Sequence, residues 1–255
     1  MTRTIAIANQ KGGVGKTTSA INISAALATI GQSVLLIDLD PQANATSGVS
    51  VEPNNATIYE CLMERQLIKS AILPTDIHGL HIIPSKGDLV GAEIEISNLA
   101  DRETILKSVV EGIQGHDYVV IDCPPAFGLL TINALVASSA LIVPVQCEYY
   151  AMEGLGSLMG NVERIRDSFN ADLDLQGIVL TMYDSRINLS RQVQSEIRGF
   201  FKEKVFQTVI PRNVALAEAP SHGKPVLSYN AASSGAKAYL DLAKEILANG
   251  KESIG

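Results

Sequence analysis

QKGGVGKTT, residues Gln10 to Thr18, places three glycines and two lysines within nine positions near the start of the chain. The apolar run Thr4–Ala8 before it predicts a buried strand, and the pattern after it predicts a helix from about Thr17. Glycines allow successive main-chain N–H groups to converge on one anion, and the positive end of a helix dipole strengthens the attraction. A strand, a glycine-rich turn and a helix N-terminus in this order therefore predict a phosphate-binding loop.

Two side chains of this loop indicate the chemistry of its ligand. Lys16 is expected to contact the β- and γ-phosphates of ATP, and the Thr17 hydroxyl is expected to ligate Mg²⁺. The standard loop, G-x-x-x-x-G-K-[S/T], has a glycine where this chain has Gln10, so the pattern here is the variant K-G-G-x-G-K-T-T. The predicted nucleotide contacts take in the whole loop: Lys11, Gly12, Gly13, Val14, Gly15, Lys16, Thr17 and Thr18.

The second lysine of the loop, Lys11, needs a separate explanation. Phosphates bound to its own subunit already have Lys16, the loop amides and a metal ion. We therefore expect Lys11 to reach ATP held by a second subunit across a symmetric interface, and to neutralise charge as the γ-phosphoryl group leaves. The alternative is an ordinary solvated surface lysine.

Short apolar runs alternate with longer helical patterns along the chain, and the runs are rich in Val, Ile and Leu on both faces. This alternation predicts a doubly wound, mostly parallel α/β sheet with helices on both faces, in a single domain over residues 1–255. Residues 41–100 are expected to hold loops and short helices. The predicted strands are Thr4–Ala8, Val34–Asp38, Leu80–Pro84, Tyr118–Asp122, Ala140–Val145, Gly177–Met182 and Val205–Ile210. The predicted helices are Thr17–Ile30, Arg102–Gln114, Leu129–Ser138, Gly154–Asn170, Leu189–Lys202 and Ser233–Ala248.

Aspartates stand where predicted strands end, which is where ligands bind in sheets of this kind. Asp40 starts the loop after its strand and is expected to orient the attacking water. Asp38 lies nearer the strand and is a candidate partner for a lysine or for the outer shell of the metal. Asp122 is expected to hold Mg²⁺ through a water, together with Thr17. A helix cap is the alternative role for such residues.

The loop K-G-G-V-G-K-T-T resembles the deviant Walker A motif of the ParA/MinD ATPase superfamily, and the resemblance covers nearly the whole chain. It implies that Lys11 is the signature lysine that contacts ATP in the partner subunit. The stretch around Asp40, D-x-D-P-Q, resembles switch I, in which the matching aspartate is needed for hydrolysis. The predicted catalytic residues are therefore Lys11, Lys16 and Asp40.

Two further stretches, VPVQCEYYAMEG and TVIPRNVALAEAPSHGKPV, resemble the chromosomal, Soj-like branch of this superfamily. The resemblance implies that the Pro-Arg-Asn turn lies against the adenine. Met182, Pro211 and Asn213 are the predicted base contacts. Glu148 is a candidate for the dimer face. The nitrogenase iron protein shares the deviant loop, but its cluster needs a cysteine where this chain has Leu129, which argues against a redox protein.

Residues 186–212 carry six positive side chains and two negative ones, a charge of +4, so the remainder of this chain of net charge −7 carries −11. A local basic surface on an acidic protein suits contact with DNA phosphates, although a solvated helix face is the alternative. The resemblance implies an ATP-bound homodimer that binds DNA non-specifically. The predicted DNA contacts are Arg186, Arg191, Lys202 and Lys204. Many Soj-like sequences have an arginine where this chain has Ala215.

The resemblance also implies a ParB-type centromere-binding partner that stimulates ATP hydrolysis. One alternative is a MinD-like positioning ATPase on a membrane, but the end of the chain, DLAKEILANGKESIG, lacks a bulky apolar and basic face. A second is a nucleotide-dependent scaffold whose hydrolysis is incidental. The three cysteines are scattered, so we expect reduced thiols in a cytoplasmic protein. The resemblance implies a nucleoid-associated ATPase without a membrane partner.

Overall fold

Residues 2–54, 56–64 and 67–252 are described in the computed structural model of the chain. Within these ranges eight strands form one sheet in the order β3-β4-β2-β5-β1-β6-β7-β8. All neighbouring strands are parallel except β3 and β4, which are antiparallel. The strands are β1 (Arg3–Ile7), β2 (Val34–Asp38), β3 (Leu73–Pro74), β4 (Leu80–Ile83), β5 (Tyr118–Asp122), β6 (Ala140–Gln146), β7 (Asp174–Tyr183) and β8 (Val205–Pro211).

Helices cover both faces of this sheet, which confirms the predicted doubly wound α/β fold. One face packs against α3 to α9, and the other packs against α1, α2 and α10 to α12. The helices are α1 (Lys16–Thr29), α2 (Asn44–Ser47), α3 (Ile58–Met63), α4 (Ile68–Ala71), α5 (Leu89–Ser97), α6 (Ile105–Glu111), α7 (Leu129–Ala137), α8 (Ala151–Ser168), α9 (Asn188–Phe201), α10 (Val214–Glu218), α11 (Val226–Tyr229) and α12 (Ser234–Glu252). Short 3₁₀ helices span Lys202–Lys204 and Ala219–His222.

Burial on both faces explains the apolar runs in the sequence. In β1, Ile5 and Ile7 belong to the core on one face of the sheet, whereas Ala6 and the following Ala8 belong to the core on the other. Successive side chains of a strand point to opposite faces, so a strand with helices on both sides is apolar at every position.

Several elements differ from the sequence-based expectation, including helices α10 and α11, which were not predicted, and strand β7, which begins at Asp174 rather than Gly177. The antiparallel strand β3 was not predicted, because its two residues carry too little pattern to distinguish a strand from a loop. Helix α6 is shorter than the predicted Arg102–Gln114, since residues 101–104 form turns and the helix ends before Gly112. Helix α8 begins at Ala151, three residues before the predicted start.

The sheet order brings the predicted site residues to one edge. The register pairs Asp122 at the end of β5 with Ile7 at the end of β1, and on its other side with Asp38 at the end of β2. The glycine-rich loop after β1 therefore starts beside both aspartates.

Candidate active site

The glycine-rich loop adopts a conformation that requires glycine at two positions. Gly13 has φ 75° and Gly15 has φ 87°, both in the left-handed region that disfavours side chains. Gly15 immediately precedes α1, so the first main-chain N–H groups of that helix open onto the loop. The loop therefore combines converging amides with a helix N-terminus, as predicted for an anion cradle.

Two contacts from distant strands fix the loop. The Thr181 hydroxyl of β7 donates to the carbonyl oxygen of Val14 at 2.8 Å. The Asn9 amide donates to the carbonyl oxygen of Pro144 in β6 at 2.7 Å, and its oxygen accepts from the main-chain N–H of Lys11 at 3.0 Å. Neither Asn9 nor Thr181 was singled out from the sequence, because these partners lie 135 and 167 residues apart.

Lys16 lies inside this cradle and is buried. Its ammonium group donates to the carbonyl oxygen of Lys11 at 3.0 Å. Burial lowers the pKa of Lys16, and the nearby carboxylates of Asp122 and Asp40 oppose that shift. A buried cation among carboxylates at a glycine loop can bind the phosphates of a nucleotide.

Asp122 is fully buried, and neither of its carboxylate oxygens has a hydrogen-bond partner among the described residues. Burial raises the pKa of Asp122 well above its usual range, and the charges of Asp38 and Asp40 raise it further, whereas Thr17 and Lys16 lower it. A carboxylate without partners is costly in this position unless a cation or water satisfies it. Asp122 beside the Thr17 hydroxyl therefore fits a magnesium ion.

No cluster of three or more His, Cys, Asp or Glu side chains in the described ranges could hold a metal ion unaided. Mg²⁺ in a nucleotide site takes few protein ligands and completes its shell with phosphate oxygens and water.

Asp40 and Asp38 stand at the same edge of the sheet but differ in their contacts. Asp40 is 6% exposed, and its carboxylate accepts from the main-chain N–H of Gln42 at 3.0 Å. Asp38 is fully buried, and burial raises its pKa to about 6 although hydrogen bonds from Thr46 oppose this. Asp40 borders open space, whereas Asp38 does not.

That open space is a cavity of about 370 Å³ lined by Gly12, Gly13, Gly15, Lys16, Thr17, Thr18, Asp40, Gln42, Asn44, Pro125 and Met182. A second cavity of about 250 Å³ adjoins it and shares Gly15, Thr18 and Met182 with it. The remaining lining of the second cavity is Thr181, Ile210, Pro211, Arg212, Asn213, Leu216, Ala217 and Tyr239. A phosphate cavity joined to a largely apolar one matches the shape of a nucleotide.

The three predicted base contacts, Met182, Pro211 and Asn213, all line the apolar cavity. Met182 has φ 49°, which is uncommon for a residue with a side chain and turns the chain at the end of β7. The Asn213 oxygen caps α10 by accepting from the N–H of Leu216 at 3.3 Å, and its amide donates to Ser234 at 2.9 Å. Tyr239 was missed, since only the fold brings it to this cavity, and Ile210 and Leu216 were missed although they flank the predicted turn in the sequence.

Lys11 behaves differently from the rest of the loop. Its side chain is 43% exposed and forms an ion pair with Glu148, which is 41% exposed. The ammonium group thus lies on the protein surface, outside the phosphate cavity of its own chain.

The predicted DNA contacts lie in and around α9, on the surface. Arg186 forms two hydrogen bonds to Asp184, at 2.9 and 2.7 Å, and its side chain is 87% exposed. These bonds lower the pKa of Asp184 to about 2. Arg191 bonds to Asn188, and Lys204 pairs with Asp174 at 3.0 Å. Lys202 is exposed and follows α9 with φ 49°.

The fold also shows where other residues that were considered from the sequence lie. Ala215 is buried in α10, and its exposed neighbour is Val214. The apolar side of α12, including Tyr239 and Leu242, packs in the core. Cys61, Cys123 and Cys147 are free and buried. None of the helices in the described ranges is long and apolar enough to cross a membrane.

A family model described as an AAA domain matches residues 2–175. The sporulation initiation inhibitor protein Soj of Bacillus subtilis is 51% identical over 253 residues, which cover 98% of this chain and 100% of that protein. The chromosome partitioning protein ParA of Caulobacter vibrioides is 48% identical over 255 residues, covering 98% of this chain and 96% of that protein. Among solved structures, a cobyrinic acid a,c-diamide synthase from Mycobacterium smegmatis with bound ATP analog and magnesium has a TM-score of 0.85 and 36% identity, covering 99% of this chain and 97% of that chain.

Proposed function

The chain belongs to the Soj/ParA family of chromosome-partitioning ATPases, and from this premise we propose that it is an ATP-dependent switch formed by a single domain over residues 1–255. ATP binding joins two subunits into a sandwich dimer, the dimer binds DNA without sequence preference, and hydrolysis releases it. The observation that carries this proposal is the position of Lys11, on the surface rather than in its own phosphate cavity.

The loop amides from Gly12 to Thr18 and the buried Lys16 hold the β- and γ-phosphates in this proposal. Thr17 and Asp122 hold Mg²⁺, which neutralises charge on the phosphate oxygens when it is bound. Asp40 orients the attacking water beside the γ-phosphate. Met182, Pro211 and Asn213 enclose the base. The unpaired carboxylate of Asp122 supports the metal assignment.

Lys11 completes the site of the other subunit. In the proposed dimer its ammonium group leaves Glu148 and contacts the phosphates bound across the interface, where it stabilises charge that develops during hydrolysis. Each site is then incomplete until two ATP-loaded subunits meet. Hydrolysis consequently depends on dimer formation, as a switch requires.

DNA binding is assigned to the basic surface formed by Arg186, Arg191, Lys202 and Lys204. Dimer formation doubles this surface and therefore strengthens a contact that depends on the number of phosphates neutralised. We further propose that a ParB-type protein stimulates hydrolysis, and that the ATP-bound dimer resides on the nucleoid in the cytoplasm. Packing of the apolar side of α12 in the core favours DNA over a membrane as the surface for this protein.

Multi-angle light scattering after size exclusion tests the dimer. The mass measured for the Asp40→Ala protein with ATP and Mg²⁺ should be about twice the 27.1 kDa of one chain, because bound ATP persists when hydrolysis is slow. The same protein with ADP should remain monomeric. A monomer with both nucleotides, each bound at saturation, would contradict the proposed sandwich dimer.

A further inference from the structure

The main chain of Asp40 is fixed on both sides of its Cα atom. Its N–H donates to the Asp38 carboxylate at 3.2 Å, and its carbonyl oxygen accepts from the Ser85 hydroxyl at 2.8 Å. The peptide groups on both sides of Asp40 are therefore hydrogen-bonded, although the residue lies in a loop rather than in a strand.

Thr46 connects the two groups that hold Asp40. Its hydroxyl donates to the Asp38 carboxylate at 2.7 Å, and its main-chain N–H donates to the same oxygen at 2.8 Å. The Thr46 hydroxyl oxygen also accepts from the main-chain N–H of Ser85 at 2.9 Å. Asp40, Asp38, Thr46 and Ser85 therefore form a closed ring of hydrogen bonds, which we call the Asp40 ring.

The Asp40 ring joins three separate segments and is shielded from water. Asp38 ends β2, Thr46 lies in α2, and Ser85 follows β4. Asp38 and Ser85 have no exposed surface, and Thr46 is 3% exposed. Hydrogen bonds in such surroundings are costly to break, because each unpaired group keeps its desolvation penalty.

Asp38 and Asp122 differ in a way that assigns their roles. Both oxygens of Asp38 accept hydrogen bonds within the ring, whereas neither oxygen of Asp122 makes a hydrogen bond of normal geometry in the described ranges, although the Thr17 hydroxyl lies near enough to lower its pKa. Asp122 thus has the free lone pairs that a metal shell needs. The lone pairs of Asp38 already accept hydrogen bonds from Asp40 and Thr46.

We propose that Asp38, Thr46 and Ser85 are positioning residues for hydrolysis, which set the place of the Asp40 carboxylate without touching ATP. The proposal rests on the proposed role of Asp40 in orienting water. The ring accounts for how a loop residue is held to the narrow geometric tolerance that positioned catalysis requires.

Thr46→Val tests the ring, because it removes the hydroxyl and keeps the branched shape. We expect kcat for ATP hydrolysis to fall about 10-fold or more, the scale of one buried hydrogen bond and one unpaired group, with the Kd for a fluorescent ATP analogue unchanged. Thr46→Ser should keep most of the kcat of the original protein, because serine keeps the hydroxyl. Thr75→Val is the matched control, since the Thr75 hydroxyl donates to Leu80 at 2.9 Å far from the nucleotide. Ser85→Ala provides a second variant should Thr46→Val fail to fold.

A double-mutant cycle with Asp40→Asn separates the possible outcomes. If the ring acts through Asp40, Thr46→Val should cause no further loss of kcat in the Asp40→Asn protein. Undiminished kcat in folded Thr46→Val or Ser85→Ala protein, or a loss that simply adds to that of Asp40→Asn, would overturn the ring proposal. Undiminished kcat in Asp40→Asn itself would instead overturn the proposed function of Asp40.

Discussion

The ammonium group of Lys11 forms an ion pair with Glu148 in the same chain. The pair joins the start of the phosphate loop to the segment before α8, and both side chains are close to half exposed. If Lys11 serves the ATP of a second subunit, this pair must break when the dimer forms, and two pairs are lost in each dimer.

Glu148→Gln should therefore strengthen the ATP-dependent dimer. Exposed ion pairs contribute about 0.2–1 kcal/mol each, so the two pairs of a dimer amount to about 0.4–2 kcal/mol and the dimer Kd should fall about 2- to 30-fold. Analytical ultracentrifugation of the Asp40→Ala protein with ATP measures this Kd. Glu153→Gln in α8 makes the same change of charge at an exposed position and should leave the Kd unaltered. A weaker dimer in Glu148→Gln would mean that Glu148 contacts the partner instead.

Lys11→Ala should separate nucleotide binding from hydrolysis. The phosphate cavity of the chain retains Lys16 and the loop amides, so ATP affinity of the monomer should be nearly unchanged. The rate of hydrolysis should fall about 100-fold. This loss is smaller than the loss that follows removal of an arginine finger, because Lys16 remains in the site. Titration with a fluorescent ATP analogue and a phosphate-release assay check both quantities. Loss of ATP affinity to the same degree as kcat would show that Lys11 acts within its own subunit.

Asp122→Asn should stabilise the nucleotide-free protein while removing its response to magnesium. The pKa of Asp122 is raised in the folded state, so the folded state binds more protons than the unfolded state. Its contribution to stability is consequently present below the unfolded pKa of about 3.9 and is lost as pH rises toward the folded pKa.

The variant should melt at a higher temperature than the original protein near pH 8, because a neutral amide does not carry the desolvation penalty of a buried carboxylate. Its advantage should shrink as the pH falls toward the unfolded pKa of the carboxyl group, because protonation then relieves the original protein as well. Calorimetry in EDTA measures these differences, and repetition with ATP and Mg²⁺ measures the lost stabilisation. A variant that melts lower at every pH would contradict the unpaired state of Asp122.

Thr181→Val should weaken ATP binding without changing the fold. The hydroxyl that holds Val14 at 2.8 Å is lost, so the loop amides are less well ordered before ATP arrives. A buried hydrogen bond contributes about 1 kcal/mol, which corresponds to a Kd about 5-fold higher. Isothermal titration calorimetry provides the Kd. Thr29→Val, which removes a hydroxyl bonded to Ala25 within α1, serves as the control and should bind ATP normally.

Local sequence signals predicted the parts of the site that lie within one segment. The glycine loop and the strand ending at Asp122 each combine a strand pattern with a distinctive following residue, whereas the prediction for the turn at Pro211 came from the family resemblance. The fold class followed from strands that are apolar on both faces, as β1 illustrates.

Contacts between distant segments could not be predicted in the same way. Thr181 meets Val14, and Ser85 meets Asp40, only because the sheet order places β7 and β4 near those loops. Spacing in the sequence carries no information about that order. A threonine or serine in an apolar strand or a loop also has many ordinary roles, so its type alone indicates no function.

The measurement that tests the central claim most directly is a gel shift on unrelated DNA duplexes with ATP, with ADP and without nucleotide, at about 50 and 200 mM salt. We predict binding with ATP alone, equal for all sequences and weaker at the higher salt. Lys11→Ala should abolish it by preventing the dimer, and Arg186→Ala should weaken it although the dimer persists. Arg102→Ala, at an exposed position on another part of the chain, should bind as the original protein does. Binding that is the same with ATP and ADP, or that Lys11→Ala leaves intact, would contradict the ATP-dependent dimer switch.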